Sequence, residues 1–239
     1  MIGSACSLVA LKYAEDEELF KDDLATSANG PNLAYLLGAA IVLDSYNFKE
    51  DLRDSKWTQE DITAHTFLSK TADLGHDYWK RLNTAKFDVQ AGLALGLRGI
   101  FIRDYKNYDL ASGIMGVAVS TGSIDTLLGH FGEADFSQAM EALTQERSLG
   151  LFVIMSIEAD SEGGLKKGIL VHRSKNSTQE LTGKYESLLN LIENFEDLRL
   201  NNKRELQLES TGNHATYFDI GNLSYSRKKF ESIVKNNEW

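Results

Sequence analysis

Cysteine and proline are nearly absent from this chain of 239 residues, which holds one of each. The lone Cys6 excludes an internal disulfide and favours a reducing compartment, because disulfide-stabilised secreted domains need paired cysteines. The single proline, together with a 42% hydrophobic composition, argues against a disordered chain. We therefore expect a chain that folds around a substantial core, as one large or two small domains.

Basic residues are outnumbered, since 25 lysines and arginines stand against 35 acids and the formal net charge is −10. An acidic surface disfavours general binding to nucleic acids or anionic membranes. Long apolar runs are lacking as well, and no stretch approaches the roughly 20 apolar residues of a membrane-spanning helix. Residues 1–10 are apolar without a basic segment before them, so they make a poor signal peptide and the cytoplasm is the expected location.

The first third of the chain has helical patterns. Four helices are expected: one near 5–14, one from Pro31 to Asp44, one from a capping box at 58–61 to about Ser69, and one near 75–86. After Phe87 three glycines, at 92, 96 and 99, are expected to loosen the chain.

Strands mixed with helices are expected in the remainder. Buried strands are predicted at 113–120, 151–156 and 168–171, helices at about 134–147 and 180–196, and short strands around Gln207 and Tyr217–Phe218. Ser226 is expected to cap a last helix. This alternation predicts an α/β fold, and the best domain boundary lies between about 63 and 88.

An apolar run at 36–43 ends abruptly in Asp44. An acidic residue at the end of a buried segment has a rigid backbone, and its side-chain carboxylate reaches solvent. Both properties suit a metal ligand. It suits a turn cap as well, because Ser45 and Asn47 follow it. Oxygen-rich metal sites take several ligands, and the neighbouring acids are candidates by distance alone: Asp51, Asp54 and Asp61.

A short basic segment, Ser226-Arg227-Lys228-Lys229, opens the last predicted helix. The simplest interpretation is a solvated helix start, but the helix dipole disfavours cations at that end. An anion held between these side chains and the amide donors removes the cost. Arg227 can clamp two oxygens of a phosphate while Lys228 supplies a point charge, so the four residues are candidate phosphate ligands.

Other segments point to no specific chemistry by themselves. Lys106 lies in Arg103-Asp104-Tyr105-Lys106, where surface exposure is the simplest interpretation. The five histidines show no paired or i,i+4 arrangement, so a zinc cluster is not predicted. No P-loop, dinucleotide fingerprint or serine-nucleophile elbow occurs.

Taken together, these segments resemble the exopolyphosphatase and prune branch of the DHH phosphoesterase superfamily, which is related to the family II inorganic pyrophosphatases. Residues 3–9 are similar to the Gly-Ser-Cys-Ser-Ser-Leu-Val segment that follows the DHH motif, and residues 36–47 to the fourth metal motif, an apolar strand ending in Leu-Asp. Later segments resemble the DHH-associated domain of these enzymes: 78–89 and 103–106 its entry, 132–136 a segment of fungal-type exopolyphosphatases, and 225–229 the terminal Ser/Thr-Arg-Lys motif.

The resemblance implies an α/β architecture with two parts. Residues 1–70 are expected to be the C-terminal part of a DHH domain, 71–88 a linker, and 89–239 a DHH-associated substrate-binding domain with a mixed sheet. It also implies a metal-dependent hydrolase of phosphoanhydride bonds, acting on inorganic polyphosphate or pyrophosphate in a cleft between the domains.

Site residues follow from the same resemblance. Asp44 is expected to bind a divalent metal (Mn, Mg or Co). Lys106, Arg227 and Lys228 are expected to be the catalytic residues that hold the phosphates, with Ser226 and Lys229 beside them.

The family's Asp-x-Asp and DHH motifs do not occur, since the sequence contains no Asp-x-Asp and no His-His. Three hypotheses therefore stay open. The first is an exopolyphosphatase-type sequence that is truncated or degenerate, and the second is a non-catalytic phosphate-binding or interaction protein derived from the accessory domain. The third is a gene fragment without a stable fold. No nucleic acid or membrane partner is expected under any of them.

Overall fold

The computed structural model describes residues 2–75, 77–110, 113–159, 165–174, 178–208, 213–222 and 225–236. The chain forms two compact units, Met1–Lys86 and Phe87–Trp239. No helix in these ranges is both long and apolar enough to cross a membrane.

The first unit is helical, and within its described residues it contains no strand longer than an isolated bridge. Its elements are α1 (Ala5–Glu15), α2 (Glu17–Leu19), a π-helical segment (Phe20–Ala25), α3 (Gly30–Asp44), a 3-10 turn (Glu50–Leu52), α4 (Gln59–Leu68) and α5 (Tyr78–Lys86). The helices predicted from Pro31 to Asp44, from the capping box at Thr58, and near 5–14 are confirmed.

Two expectations for this unit differ from the structure. The apolar run before Asp44 is a helix and not the strand that the resemblance implied, since it is rich in alanine and leucine, which favour helices. The segment 71–88, expected as a linker, is largely packed: Ala72, Leu74 and Tyr78 are buried in the core of the first unit, and α5 begins at Tyr78. His76 lies outside the described residues.

The second unit alternates helices and strands, as predicted. Its elements are α6 (Val89–Leu93), α7 (Gly96–Arg103), β1 (Tyr105–Leu110), β2 (Gly113–Thr121), α8 (Ile124–Phe131), α9 (Glu133–Glu146), β3 (Leu149–Ala159), β4 (Leu165–Arg173), α10 (Gln179–Glu193), a 3-10 turn (Glu196–Leu198), β5 (Leu200–Leu208), β6 (Asn213–Ile220) and α11 (Arg227–Asn236). The glycine-rich segment after Phe87 forms α6 and α7 and does not loosen the chain. Leu97, Ile100 and Phe101 are buried on one side of α7, and this packing outweighs the low helix propensity of glycine.

One mixed sheet organises the second unit, in the order β1-β2-β3-β4-β6-β5. β2 and β3 are parallel and are joined by α8 and α9, while the other neighbours are antiparallel. α10 and α11 pack on one face, together with alternate strand residues such as Val117, Val153 and Phe218. α7, α8 and α9 pack on the other, against Phe152, Ile154 and neighbouring residues. The central strands are therefore buried on both faces, as their apolar runs indicate.

Candidate functional site

The last helix is fixed by its apolar face. Phe230, Ile233 and Val234 are buried against the sheet, and Phe230 is only 1% exposed. The amide of Phe230 donates to the carbonyl of Ser226 at 3.0 Å, so the first helical bond of α11 closes on Ser226. Arg227 thus stands at the start of the first turn, which contains no acid to offset its charge.

Arg227 is held by Asp104, the residue that precedes β1. Its guanidinium donates to the Asp104 carbonyl at 3.1 Å and to the Asp104 carboxylate. The Arg227 side chain is 18% exposed and the Asp104 side chain 49%. The same Asp104 carbonyl accepts from the amide of Val119 on β2 at 2.9 Å, which fixes this carbonyl to the sheet.

Lys106 follows on β1, and alternation along the strand places it on the same face as Tyr108. The Tyr108 hydroxyl donates to the Glu231 carboxylate of α11 at 3.3 Å. The pKa of Glu231 is lowered, chiefly by a bond from Lys235 and with a contribution from the charge of Lys106. The structure therefore brings Lys106 and Arg227 to one place, where β1 begins and α11 packs over it.

The remaining members of the cluster are more exposed. Lys228 is exposed, and its carbonyl accepts a hydrogen bond from the hydroxyl of Ser232 at 3.2 Å. Lys229 is paired with Asp197 at 3.8 Å, and Ser226 is half-buried. We call Lys106, Ser226, Arg227, Lys228 and Lys229 the basic cluster.

Asp44 is the last residue of α3 and is exposed. One of its carboxylate oxygens accepts a hydrogen bond from the hydroxyl of Ser4 at 2.7 Å. The last turn of α3 contains no basic residue, so a negative side chain stands unopposed at the negative end of a helix dipole. This placement favours a bound cation, as the placement of Arg227 and Lys228 favours a bound anion.

Asp61, proposed from distance as a second metal ligand, is engaged elsewhere. It is 0% exposed and accepts bonds from the amides of Gly3, Ser4 and Thr58 and from the hydroxyl of Ser7. Burial raises the pKa of Asp61, but these bonds together lower it further than burial raises it. Asp61 therefore joins the starts of α1 and α4, and its oxygens are occupied by donors.

The remaining neighbours do not complete a metal site. Asp51 and Asp54 are exposed, and Asp51 lies 3.9 Å from Lys49. Among the described residues no group of three or more histidine, cysteine or acidic side chains is placed to hold a metal ion. An oxygen-rich site needs several ligands, so Asp44 can be only one ligand of such a site.

A cleft of about 780 Å³ opens in the second unit, but none of its lining residues belongs to the basic cluster. Two of its acidic side chains have partners: Asp125 accepts two bonds from Arg204, and Glu158 accepts from the Ser123 amide and the Thr126 hydroxyl. The candidate phosphate ligands therefore do not line this cleft.

Residues 80–237 match the DHHA2 domain. The chain belongs to the DHHA2 family. DHHA2 domains are the DHH-associated domains C-terminal to DHH phosphoesterase domains, so the chain is a member of the DHH superfamily. The expected fold, an α/β chain with a DHH-associated domain built on a mixed sheet, is confirmed. All five residues of the basic cluster lie within the matched DHHA2 segment.

Among solved structures, the chain is similar to a Methanococcus jannaschii protein assigned to the family II inorganic pyrophosphatases. The TM-score is 0.60 at 16% sequence identity, and the alignment covers 98% of this chain and 64% of that one. The chain thus spans somewhat less than two thirds of that protein's length, and a likeness at this identity shows the fold alone. No curated protein matches the chain.

Sequence reasoning singled out the cations of the DHHA2 domain but not the carboxylates beside them. Asp104 and Glu231 were not singled out, although Asp104 stands two residues before Lys106 in the segment quoted for the resemblance. The presence of an acid in that short segment was the one sequence feature that pointed to Asp104. Its partner Arg227 is 123 residues away, so the pairing depends on the fold.

Proposed function

We propose that the chain belongs to a hydrolase of phosphoanhydride bonds of the exopolyphosphatase and prune type, with inorganic polyphosphate or pyrophosphate as substrate. The observation that supports this most is the basic cluster, in which Arg227 and Lys228 stand at a helix start without an acid in the first turn. In this proposal residues 89–239 form the substrate-binding domain, and 1–70 are the C-terminal part of a DHH domain.

Each cation of the cluster has a distinct role. Arg227 presents a planar fork that can bind two phosphate oxygens, while Lys106 and Lys228 act as point charges. The amides of the first turn of α11 add donors for the same anion. Because this local field acts at short range, a chain with a net charge of −10 can still bind a polyanion.

Asp44 is proposed as one ligand of a divalent metal (Mn, Mg or Co). When bound, such an ion polarises phosphoryl oxygens and lowers the pKa of a coordinated water. Ser4 holds the Asp44 carboxylate in place for such a role. Further metal ligands would have to come from outside the described residues, because Asp44 alone cannot complete the coordination of such an ion.

The anion site is tested by isothermal titration of the chain with inorganic tripolyphosphate. We expect Arg227→Ala to weaken binding by roughly 10-fold or more, since a charge-assisted bond contributes about 1.5–3 kcal/mol. Arg98→Ala is the matched control, because Arg98 is an exposed arginine of the same unit, paired with Glu146 on α9. Equal loss in both variants would mean that only net charge matters and would contradict the proposed site.

A non-catalytic phosphate-binding protein is the alternative, and it is favoured by the lack of a complete metal-ligand group among the described residues. Phosphate release from tripolyphosphate and pyrophosphate in the presence of Mn²⁺ separates the two functions. The hydrolase proposal expects Asp44→Asn to abolish release and leave tripolyphosphate affinity unchanged. Binding by the wild-type chain without any release would support the binding protein instead.

A further inference from the structure

We propose that Asp104 is a positioning residue for phosphate binding, because it holds the Arg227 guanidinium in the orientation that an anion needs. This inference rests on the proposed role of the basic cluster. The Asp104 carboxylate would thus assist phosphate binding, although its negative charge by itself opposes the binding of an anion.

The anchor is built from two acceptors of one residue. The carbonyl and the carboxylate of Asp104 both accept from Arg227, and the carbonyl also accepts from the amide of Val119. An arginine side chain has several rotatable bonds, and immobilising it on binding costs conformational entropy. Because Asp104 restricts Arg227 before an anion arrives, less of that cost falls on the binding step.

The same residue also relates Arg227 to Lys106. Asp104 is the last residue before β1, and Lys106 is the second residue of that strand. The contact of Asp104 with Arg227 thus ties the start of α11 to the start of β1, where Lys106 stands. The helix that begins at Arg227 and the strand that contains Lys106 are thereby connected through Asp104, although their segments are more than 100 residues apart.

The ion pair is not explained by stability alone. Asp104 is 49% exposed, and ion pairs with an exposed partner contribute little to folding. A carboxylate close to a phosphate site also repels the anion, although solvent and salt screen that repulsion. Geometry and charge therefore act in opposite directions, and an experiment has to separate them.

Two neutral variants make this separation. Asp104→Asn removes the charge but keeps an oxygen that accepts from Arg227, whereas Asp104→Ala removes both. Because the two variants have the same charge, a difference between them reports the position of Arg227. We expect the alanine variant to bind inorganic tripolyphosphate roughly 3- to 10-fold more weakly than the asparagine variant, in keeping with the cost of immobilising one long side chain.

The same pair of substitutions is then measured in an Arg227→Ala background, where the difference should disappear. Equal affinities of the Asn and Ala variants would overturn the inference. A difference that persists without Arg227 would overturn it too, since it would report a general disturbance of β1. If Arg227→Ala alone leaves tripolyphosphate affinity unchanged, the proposed function itself fails. Thermal unfolding of each variant verifies the fold, and Asp104→Ser replaces the alanine variant if that one unfolds.

Discussion

At the scale of single residues, the acids of the first unit differ in burial and in the hydrogen bonds that they accept. Asp44 ends α3 and Asp61 lies in the first turn of α4, and the sequence suggests both as metal ligands. Asp44 stays exposed with one bond from Ser4, whereas Asp61 is buried and accepts bonds from three amides and two hydroxyls. Spacing accounts for only part of this difference. The capping-box spacing predicts the bond from the Thr58 amide, three residues before Asp61, whereas the donors at Gly3, Ser4 and Ser7 lie more than 50 residues away.

Asp61 is expected to be important for stability. Asp61→Ala should lower the free energy of unfolding by about 2–4 kcal/mol at pH 7, since it leaves buried donors unpaired. The lowered pKa of Asp61 means that its stabilisation is present above the ordinary aspartate pKa of about 3.9 and is lost as pH falls below it. Urea unfolding of wild type and variant at pH 7 and at pH 3 measures this loss.

Asp54→Asn serves as the control for this experiment, because Asp54 is exposed and its left-handed backbone, with φ at 60°, also suits asparagine. We expect it to change the free energy of unfolding by less than about 0.5 kcal/mol. If Asp61→Ala proved as harmless as Asp54→Asn, the bonds to Asp61 would contribute nothing to folding.

At the scale of elements, apolar periodicity was enough to locate the long helices and the central strands. β1 was missed because it is an edge strand in which Lys106, Asn107 and Asp109 are exposed, so it lacks the apolar run by which the other strands were found. α7 was not predicted because its two glycines disfavour a helix, although Leu97, Ile100 and Phe101 are spaced as a buried apolar face. The pairing of Asp104 with Arg227 could not be predicted for a related reason, since it depends on where β1 and α11 meet.

Gly168 on β4 has no room for a side chain, because a tyrosine of the neighbouring strand β6 lies against it. A Cβ added there would lie 2.3 Å from the hydroxyl oxygen of Tyr217, which is itself 3% exposed on the neighbouring β6. Gly168→Ala should therefore destabilise the protein by about 1–3 kcal/mol, the cost of forcing a buried ring aside. Urea unfolding followed by circular dichroism measures it.

Gly183→Ala is the matched control within the same unit. Gly183 lies inside α10, and a Cβ there meets no atom within 4 Å. The substitution should stabilise the helix by about 0.5–1 kcal/mol, because alanine has the higher helix propensity. A destabilising Gly183→Ala, or a neutral Gly168→Ala, would show that the packing around these glycines differs from that described.

At the scale of the whole molecule, the two units have separate cores. The clusters on the two faces of the sheet consist only of residues after Phe87, while the cluster of the first unit draws on residues up to Leu82. The first unit is the smaller, and large apolar side chains of α1 and α3 are exposed in it, Leu8 at 58% and Leu36 at 65%. The second unit therefore has the more complete core, and it also contains the whole basic cluster.

A fragment of residues 87–239 should fold by itself, because a domain with its own core does not need its neighbour for stability. Since Lys106, Arg227 and Asp104 all lie within it, the fragment should bind inorganic tripolyphosphate with the affinity of the full chain, within about twofold. Circular dichroism, thermal unfolding and isothermal titration test the two statements separately. A folded fragment that binds 10-fold more weakly would mean that residues before 87 contribute to the anion site, whereas an unfolded fragment would show that the second core depends on the first unit.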